Sequence, residues 1–257
     1  MPYADNQGVR IHYQTVGTGP PLVLQHGFSE STEDWFDCGY VDALKLDYRL
    51  ILVDARGHGA SDKPHDPQAY LLENRVGDVT VVLDALGIEK ALFSGYSMGG
   101  WIGFGMAKYA KERVRALVIG GQHPYARSMG SLRQMVQAGI AHGSEEFVAG
   151  MEEMFGPESA ARKERLLLAD LEAYLAQAQD RPGLEDILPT MLMPCCLYAG
   201  EIDPIYPEVE ACSRQIPHVT FFSLPGLNHC DAFTRSALVL PHVTTFLKAL
   251  SNVRVHS

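Results

Sequence analysis

The sequence predicts an α/β fold on an eight-stranded, mostly parallel sheet, and three observations predict it. Short apolar, β-rich runs recur along the 257 residues, segments with apolar residues at helical spacing lie between them, and residues 122–188 interrupt the alternation with helical patterns alone. Strands separated by helices are joined by crossovers, and a crossover returns the chain parallel to the strand it left.

The elements follow in order. Residues 9–15 come after an Asn6-Gln7-Gly8 turn, which predicts a hairpin with the segment around Tyr3. Residues 22–25, 49–53, 91–94, 116–119, 195–199 and 219–223 are the remaining strands. Residues 68–86 place Leu71, Leu72, Val76, Val79, Val82, Leu83 and Leu86 at helical spacing and stop at Gly87. Residues 101–109 read as a helix, as do 144–155 and 158–179 within the interruption, which Pro157 and Pro182-Gly183 punctuate. The organisation expected is a core of residues 1–121 and 189–257 carrying a small helical cap insertion at 122–188.

Composition narrows the function classes. Hydrophobic residues at 46% and charged residues at 20% give a chain able to bury a core, not a disordered one. Lys and Arg number 21 against 31 Asp and Glu, a formal charge of −10 that repels nucleic acid and anionic lipid. The uncharged run 91–107 is short of the roughly 20 residues of a spanning helix and carries five glycines, so no membrane segment is expected. Cys38, Cys195, Cys196, Cys212 and Cys230 form no C-x-x-C pair, and the start of the chain has neither the basic end nor the apolar core of a signal peptide. Both point to a reducing, cytoplasmic setting. The oligomeric state stays open, a homo-oligomer included.

The sharpest chemical signal is Gly95-Tyr96-Ser97-Met98-Gly99, between a strand and a helix. A serine presented on so tight a strand-to-helix reversal needs small residues two positions to either side, because side chains there would collide. In this setting the motif predicts that Ser97 is a nucleophile.

From this motif onward the chain resembles the α/β-hydrolase superfamily over essentially its whole length, in a serine-nucleophile, esterase-like branch with a short helical cap. Gln25-His26-Gly27-Phe28 is similar to the family's His-Gly segment after the third strand, and the run from Asp54 to Asp62 to its turn after the fourth. Ala199-Gly200-Glu201-Ile202-Asp203-Pro204 is similar to the loop that presents the triad acid, and Pro225-Gly226-Leu227-Asn228-His229 to the loop that presents the base. The resemblance implies a Ser97–His229–Asp203 triad, in which His229 takes the serine proton and Asp203 orients the imidazole. Glu201 is the alternative acid, and Asp231 reads as a solvated loop residue. The elbow makes the Met98 N–H one oxyanion donor, and the resemblance makes the Phe28 N–H the other. Trp35, Tyr96 and His123 are candidate pocket residues. His26 and His58 read as structural, and His12, His65, His142, His218, His242 and His256 lack a matching context.

The expected activity is hydrolysis of small to medium carboxylic esters through an acyl-enzyme, with a small-molecule acyl substrate as partner. A serine at the elbow disfavours the epoxide hydrolase and haloalkane dehalogenase branches, which attack with aspartate, and the dienelactone hydrolases, which use cysteine. No metal-ligand spacing or nucleotide-binding glycine motif is present, so no metal and no cofactor is expected. Lactonase, thioesterase, perhydrolase and C–C hydrolase activities share the same triad, the last wanting a cationic anchor such as Arg127, Arg133 or Arg162. A ligand sensor with little turnover is the rival outside enzymes.

Overall fold

The computed structural model describes residues 2–252, so that His256 and the end of the 189–257 core segment lie outside the described residues. Eight strands form one sheet: β1 (Tyr3–Asn6), β2 (Val9–Val16), β3 (Pro21–Gln25), β4 (Arg49–Val53), β5 (Ala91–Tyr96), β6 (Val114–Gly120), β7 (Cys195–Gly200) and β8 (Val219–Leu224). Their spatial order is β1-β2-β4-β3-β5-β6-β7-β8. β1 pairs antiparallel with β2 and β2 antiparallel with β4, while every later pairing is parallel.

Helices cover both faces. They are α1 (Thr32–Asp37), α2 (Tyr40–Leu44), α3 (Leu72–Ala85), α4 (Met98–Tyr109), α5 (Gly130–His142), α6 (Ser144–Phe155), α7 (Ala160–Leu167), α8 (Leu171–Gln177), α9 (Tyr206–Ser213), α10 (Asp231–Thr234) and α11 (Ser236–Asn252). The period of two along β4 separates the layers: Ile51 and Val53 pack with Val76, Val79 and Phe104 of α3 and α4, while Leu50 and Leu52 pack with Val41, Val239 and Leu247 of α2 and α11. Strands buried on both faces explain why their sequences run apolar without alternation.

Two helical readings are adjusted. The 68–86 pattern begins as a 3₁₀ turn at Pro67–Tyr70, capped by the Asp66 side chain on the Gln68 N–H, and Leu71 is extended before α3 starts. The 158–179 pattern breaks into α7 and α8. Asp170 accepts a hydrogen bond from the Ala173 N–H at 3.0 Å and pairs with His65 across the loop, and this cap starts a new helix where periodicity alone ran on.

Between β6 and β7, helices α5 to α8 bury Leu132, Val136, Phe147, Val148, Met151, Leu166 and Tyr174 against one another, and Phe28 packs on this cluster. Beneath it the turn after β4 is held by Asp54, whose carboxylate accepts from the Thr32 N–H at 2.8 Å and the Ala60 N–H at 3.0 Å and pairs with His12. Burial works to raise the Asp54 pKa; the His12 contact and the backbone donors overcome it and hold the group at about 2.

Candidate active site

β5 ends at Tyr96 and α4 begins at Met98, leaving Ser97 between them at φ 52 and ψ −112. A non-glycine residue tolerates that conformation only when its surroundings fix it. Here the Ser97 N–H donates to the Gly120 carbonyl at 2.9 Å, and Gln122 Nε2 donates to the Ser97 carbonyl at 3.0 Å. The flanking glycines are sterically required: a Cβ on Gly95 would meet the Gly99 carbonyl oxygen at 2.2 Å, and one on Gly99 the Gln25 carbonyl oxygen at 2.0 Å. That second contact sets the start of α4 directly on the His26-Gly27 segment after β3.

The parallel strands bring the other groups to the same edge. Asp203 lies in the turn after β7, 4% exposed, and its Oδ1 accepts from the Ile205 N–H at 3.1 Å. His229 lies in the loop after β8, its carbonyl accepting from the Tyr96 hydroxyl. His229 Nδ1 is 2.6 Å from Asp203 Oδ2, and His229 Nε2 is 3.0 Å from Ser97 Oγ. An ionised carboxylate only accepts, so Nδ1 carries the proton toward Asp203 and Nε2 is left to accept from the Ser97 hydroxyl. Glu201 is turned away and exposed, and accepts from Ser223 Oγ at 2.7 Å. Among the described residues, the N–H groups of Phe28 and Met98 make no hydrogen bond.

A model of the alpha/beta hydrolase fold matches residues 20–173. The chain belongs to the alpha/beta hydrolase family. Among curated relatives, this α/β hydrolase is 39% identical over 112 residues to bifunctional epoxide hydrolase 2 of Sus scrofa, a match covering 43% of this chain and 20% of that one. It is 30% identical over 192 residues to RutD of Azorhizobium caulinodans, whose name describes a carbamate hydrolase, covering 73% and 69% of the two chains. The matches to the first of these relatives span between a fifth and about half of their length. Among solved structures, the enol-lactonase of Burkholderia xenovorans LB400 superposes with a TM-score of 0.84 at 24% identity, over 96% of this chain and all of that one. No helix among the described residues of this chain is long and apolar enough to cross a membrane.

The candidate pocket residues of this hydrolase fall in different places. Trp35 is 1% exposed, with ring centroids 5.0 Å from Tyr40 and 5.1 Å from Phe233; it is a core residue, not a pocket wall. Tyr96 is equally buried and ties down the His229 loop through its hydroxyl. His123 is buried, its Nδ1 accepting from the Tyr125 N–H at 3.2 Å, so its ring is committed to that turn. His26 Nε2 accepts from the Ala55 N–H and His58 Nε2 from the Ser29 N–H, and burial pushes both imidazoles down, so they stay neutral props. Burial pushes the Cys230 thiol up to about 12, which makes it a poor nucleophile despite its place beside His229.

The structure adds a group that no motif announces. The Glu30 carboxylate accepts from the Gly27 N–H at 2.6 Å, and a side-chain carbon placed at Gly27 would lie 2.9 Å from Glu30 Oε2 and 3.4 Å from Ser97 Cβ. Glu30 and Ser97 therefore flank Gly27 on the same side. Burial, aided by Asp34 and Glu158 and opposed by Arg162 and the Gly27 N–H, raises its pKa to about 7. Arg162, arriving on α7, bonds Asp34 at 3.0 Å, Glu158 at 2.8 Å and Ser29 at 3.2 Å, fastening the helical insertion over this loop.

A pH dependence follows from Glu30. Its folded pKa lies above its ordinary 4.5, so the folded chain holds this proton more tightly, and the stability it contributes at low pH is lost as pH rises from about 4.5 to about 7. Glu30→Gln keeps the shape and never ionises. Its melting temperature relative to the unmodified protein is expected to be higher at pH 8 than at pH 5; an offset independent of pH would refute the assignment.

Proposed function

We propose that this α/β hydrolase cleaves small to medium carboxylic esters through an acyl-enzyme on Ser97. The observation that carries the reading is the continuous hydrogen-bonded series Asp203–His229–Ser97, with the serine at the strained elbow. Ser97 Oγ attacks the ester carbonyl while its proton passes to His229 Nε2, and Asp203 stabilises the imidazolium formed. The N–H groups of Phe28 and Met98 receive the oxyanion. As the tetrahedral adduct collapses, the alkoxide leaves with the proton from His229; water then gives a proton to His229 as its oxygen adds to the acyl carbon, and the second adduct collapses with Ser97 Oγ leaving and taking that proton back, which releases the acid. Each proton and acyl transfer in the cycle is carried by the chain's own residues.

Supporting observations also bound the partner and the setting. A formal charge of −10 disfavours nucleic acid and leaves a small acyl compound as the partner, and all five cysteines are free thiols, which suits the reducing cytoplasm. The pig relative is named an epoxide hydrolase, but opening an epoxide by a carboxylate nucleophile at the elbow is closed to a chain carrying Ser97 there. Initial rates on p-nitrophenyl acetate, butyrate, octanoate and palmitate test the reading. Turnover is expected to be highest on the shorter esters and lowest on palmitate; a preference for palmitate would contradict the small-ester reading, and no turnover on any of the four would contradict ester hydrolysis.

A further inference from the structure

A cavity of about 240 Å³ lies between the helical insertion and the core, and Phe28 and Met98 form part of its wall. The same wall contains two arginines with no carboxylate partner among the described residues, Arg75 and Arg181. An arginine is rarely buried without a counter-charge, because its desolvation is then left uncompensated. Arg75, 6% exposed, spends its donors on neutral groups: Nε on the Tyr70 carbonyl at 3.1 Å, Nη1 on Met98 Sδ at 3.1 Å and Nη2 on Gln177 Oε1 at 3.3 Å. Arg181 has its guanidinium over the Trp101 ring, 5.5 Å from the centroid, and its backbone is fixed by paired hydrogen bonds with Arg127. Burial lowers the Arg75 pKa to about 10 and the Arg181 pKa to about 9, and proximity to Arg75 adds to the lowering at Arg181. Two cations thus share one small space.

Gln177, on α8, supplies an independent sign. It is 7% exposed, and its Nε2 has no hydrogen-bond partner. The amide cannot be turned to relieve this, because its oxygen is the acceptor for Arg75 and the reversed amide would set donor against donor. A buried amide donor on the same cavity wall as two arginines that no carboxylate pairs directly is suited to an acceptor bearing negative charge. The nearby carboxylates are committed elsewhere. Asp78 is bound by Arg56 and Asn6, Asp180 by Arg133 and the Met129 N–H, and Glu73 is exposed. Arg162 and Arg133, the anchors suggested by sequence, are neutralised by Asp34 and Glu158 and by Asp180, and Arg127 is exposed.

We propose that Arg75, Gln177 and Arg181 form a subsite for a carboxylate on the acyl part of the substrate, so that the preferred esters are half-esters of short dicarboxylic acids. The proposal rests on the reading of Ser97 as the nucleophile. It is placed by Arg75, which touches the side chain of Met98, the residue whose N–H is the proposed oxyanion donor. A chain leading from the scissile carbonyl past Met98 would deliver its distal acid to the three donors, and the small volume selects short linkers.

The test compares the monomethyl esters of succinate, glutarate and adipate with methyl pentanoate, in which an uncharged methyl group replaces the acid, following proton release at constant pH. For the unmodified protein, kcat/KM on at least one half-ester is expected to exceed that on methyl pentanoate by about tenfold or more, the range of a hydrogen-bonded charge. Arg181→Gln and, separately, Gln177→Leu are expected to bring that ratio toward one. Two variants are used because Arg75 also holds the core through the Tyr70 carbonyl. All three half-esters at or below methyl pentanoate, or a ratio unchanged in both variants, would overturn the proposal. If no ester is turned over, the subsite is still read by binding: glutarate is expected to raise the melting temperature of the unmodified protein and not that of Arg181→Gln. That outcome would retain the subsite and discard the ester reading, whereas equal effects of glutarate on both proteins would discard the subsite.

Discussion

Ser97→Ala is expected to lower kcat/KM on p-nitrophenyl butyrate by about 10³-fold or more while leaving the melting temperature almost unchanged. Without the hydroxyl no acyl-enzyme forms, and the residual rate is what the oxyanion donors and substrate binding supply alone, which in serine hydrolases is about 10³ to 10⁴ over water. Little change in fold is expected because the conformation of residue 97 is held by its backbone: the Gly120 carbonyl takes its N–H and Gln122 its carbonyl. A variant retaining more than a tenth of the activity would remove Ser97 from the mechanism. A loss of activity matched by a loss of fold would contradict the backbone account of the elbow.

The second large effect falls on a residue that touches no substrate. Gly99→Ala forces a methyl group to within 2.0 Å of the Gln25 carbonyl oxygen and 2.7 Å of its carbon, both backbone atoms that cannot swing aside. Overpacking of this kind costs about 1–3 kcal/mol or more. The strain has two outlets, a lower melting temperature or a shift of the elbow against the Gly27-Phe28 segment, and a displacement of about 1 Å at a reacting centre is worth about 10² in rate. Both a lower melting temperature and a fall in kcat of about tenfold or more are expected. Gly130→Ala, at the start of α5, meets nothing nearer than Ser128 Oγ at 3.4 Å and is the control, expected to change neither. Equal behaviour of the two variants would contradict the packing argument.

The sheet was legible because its strands are short apolar runs set off by helical spacing, and the antiparallel hairpin because Asn6-Gln7-Gly8 is a turn with its own chemistry. Helix boundaries were legible only where a stop residue such as Gly87 marks them. Asp170 reads from sequence as one more polar position on a helical face, and its capping role exists only once Ala173 and His65 are beside it. The candidate site divides along the same line. Ser97, Asp203 and His229 sit in loops with distinctive glycine and proline neighbours, whereas Glu30, Arg75, Gln177 and Arg181 are charged or polar residues of ordinary local context. What distinguishes them is partial or full burial and the neighbours the fold sets around them, a property of the folded chain. Trp35 shows the converse: it follows Phe28 closely in sequence, but α1 turns it inward onto Tyr40 and Phe233.

The central claim is that Ser97 is a nucleophile activated by His229, and covalent trapping tests it most directly. Incubation with a fluorophosphonate, followed by intact-mass measurement and peptide mapping, reads the identity of the activated residue independently of the natural substrate. The account predicts one adduct per chain, on Ser97, with labelling slowed by about 10²-fold or more in His229→Ala as its base is lost. An unmodified protein, an adduct on another residue, or equal labelling of His229→Ala would contradict it.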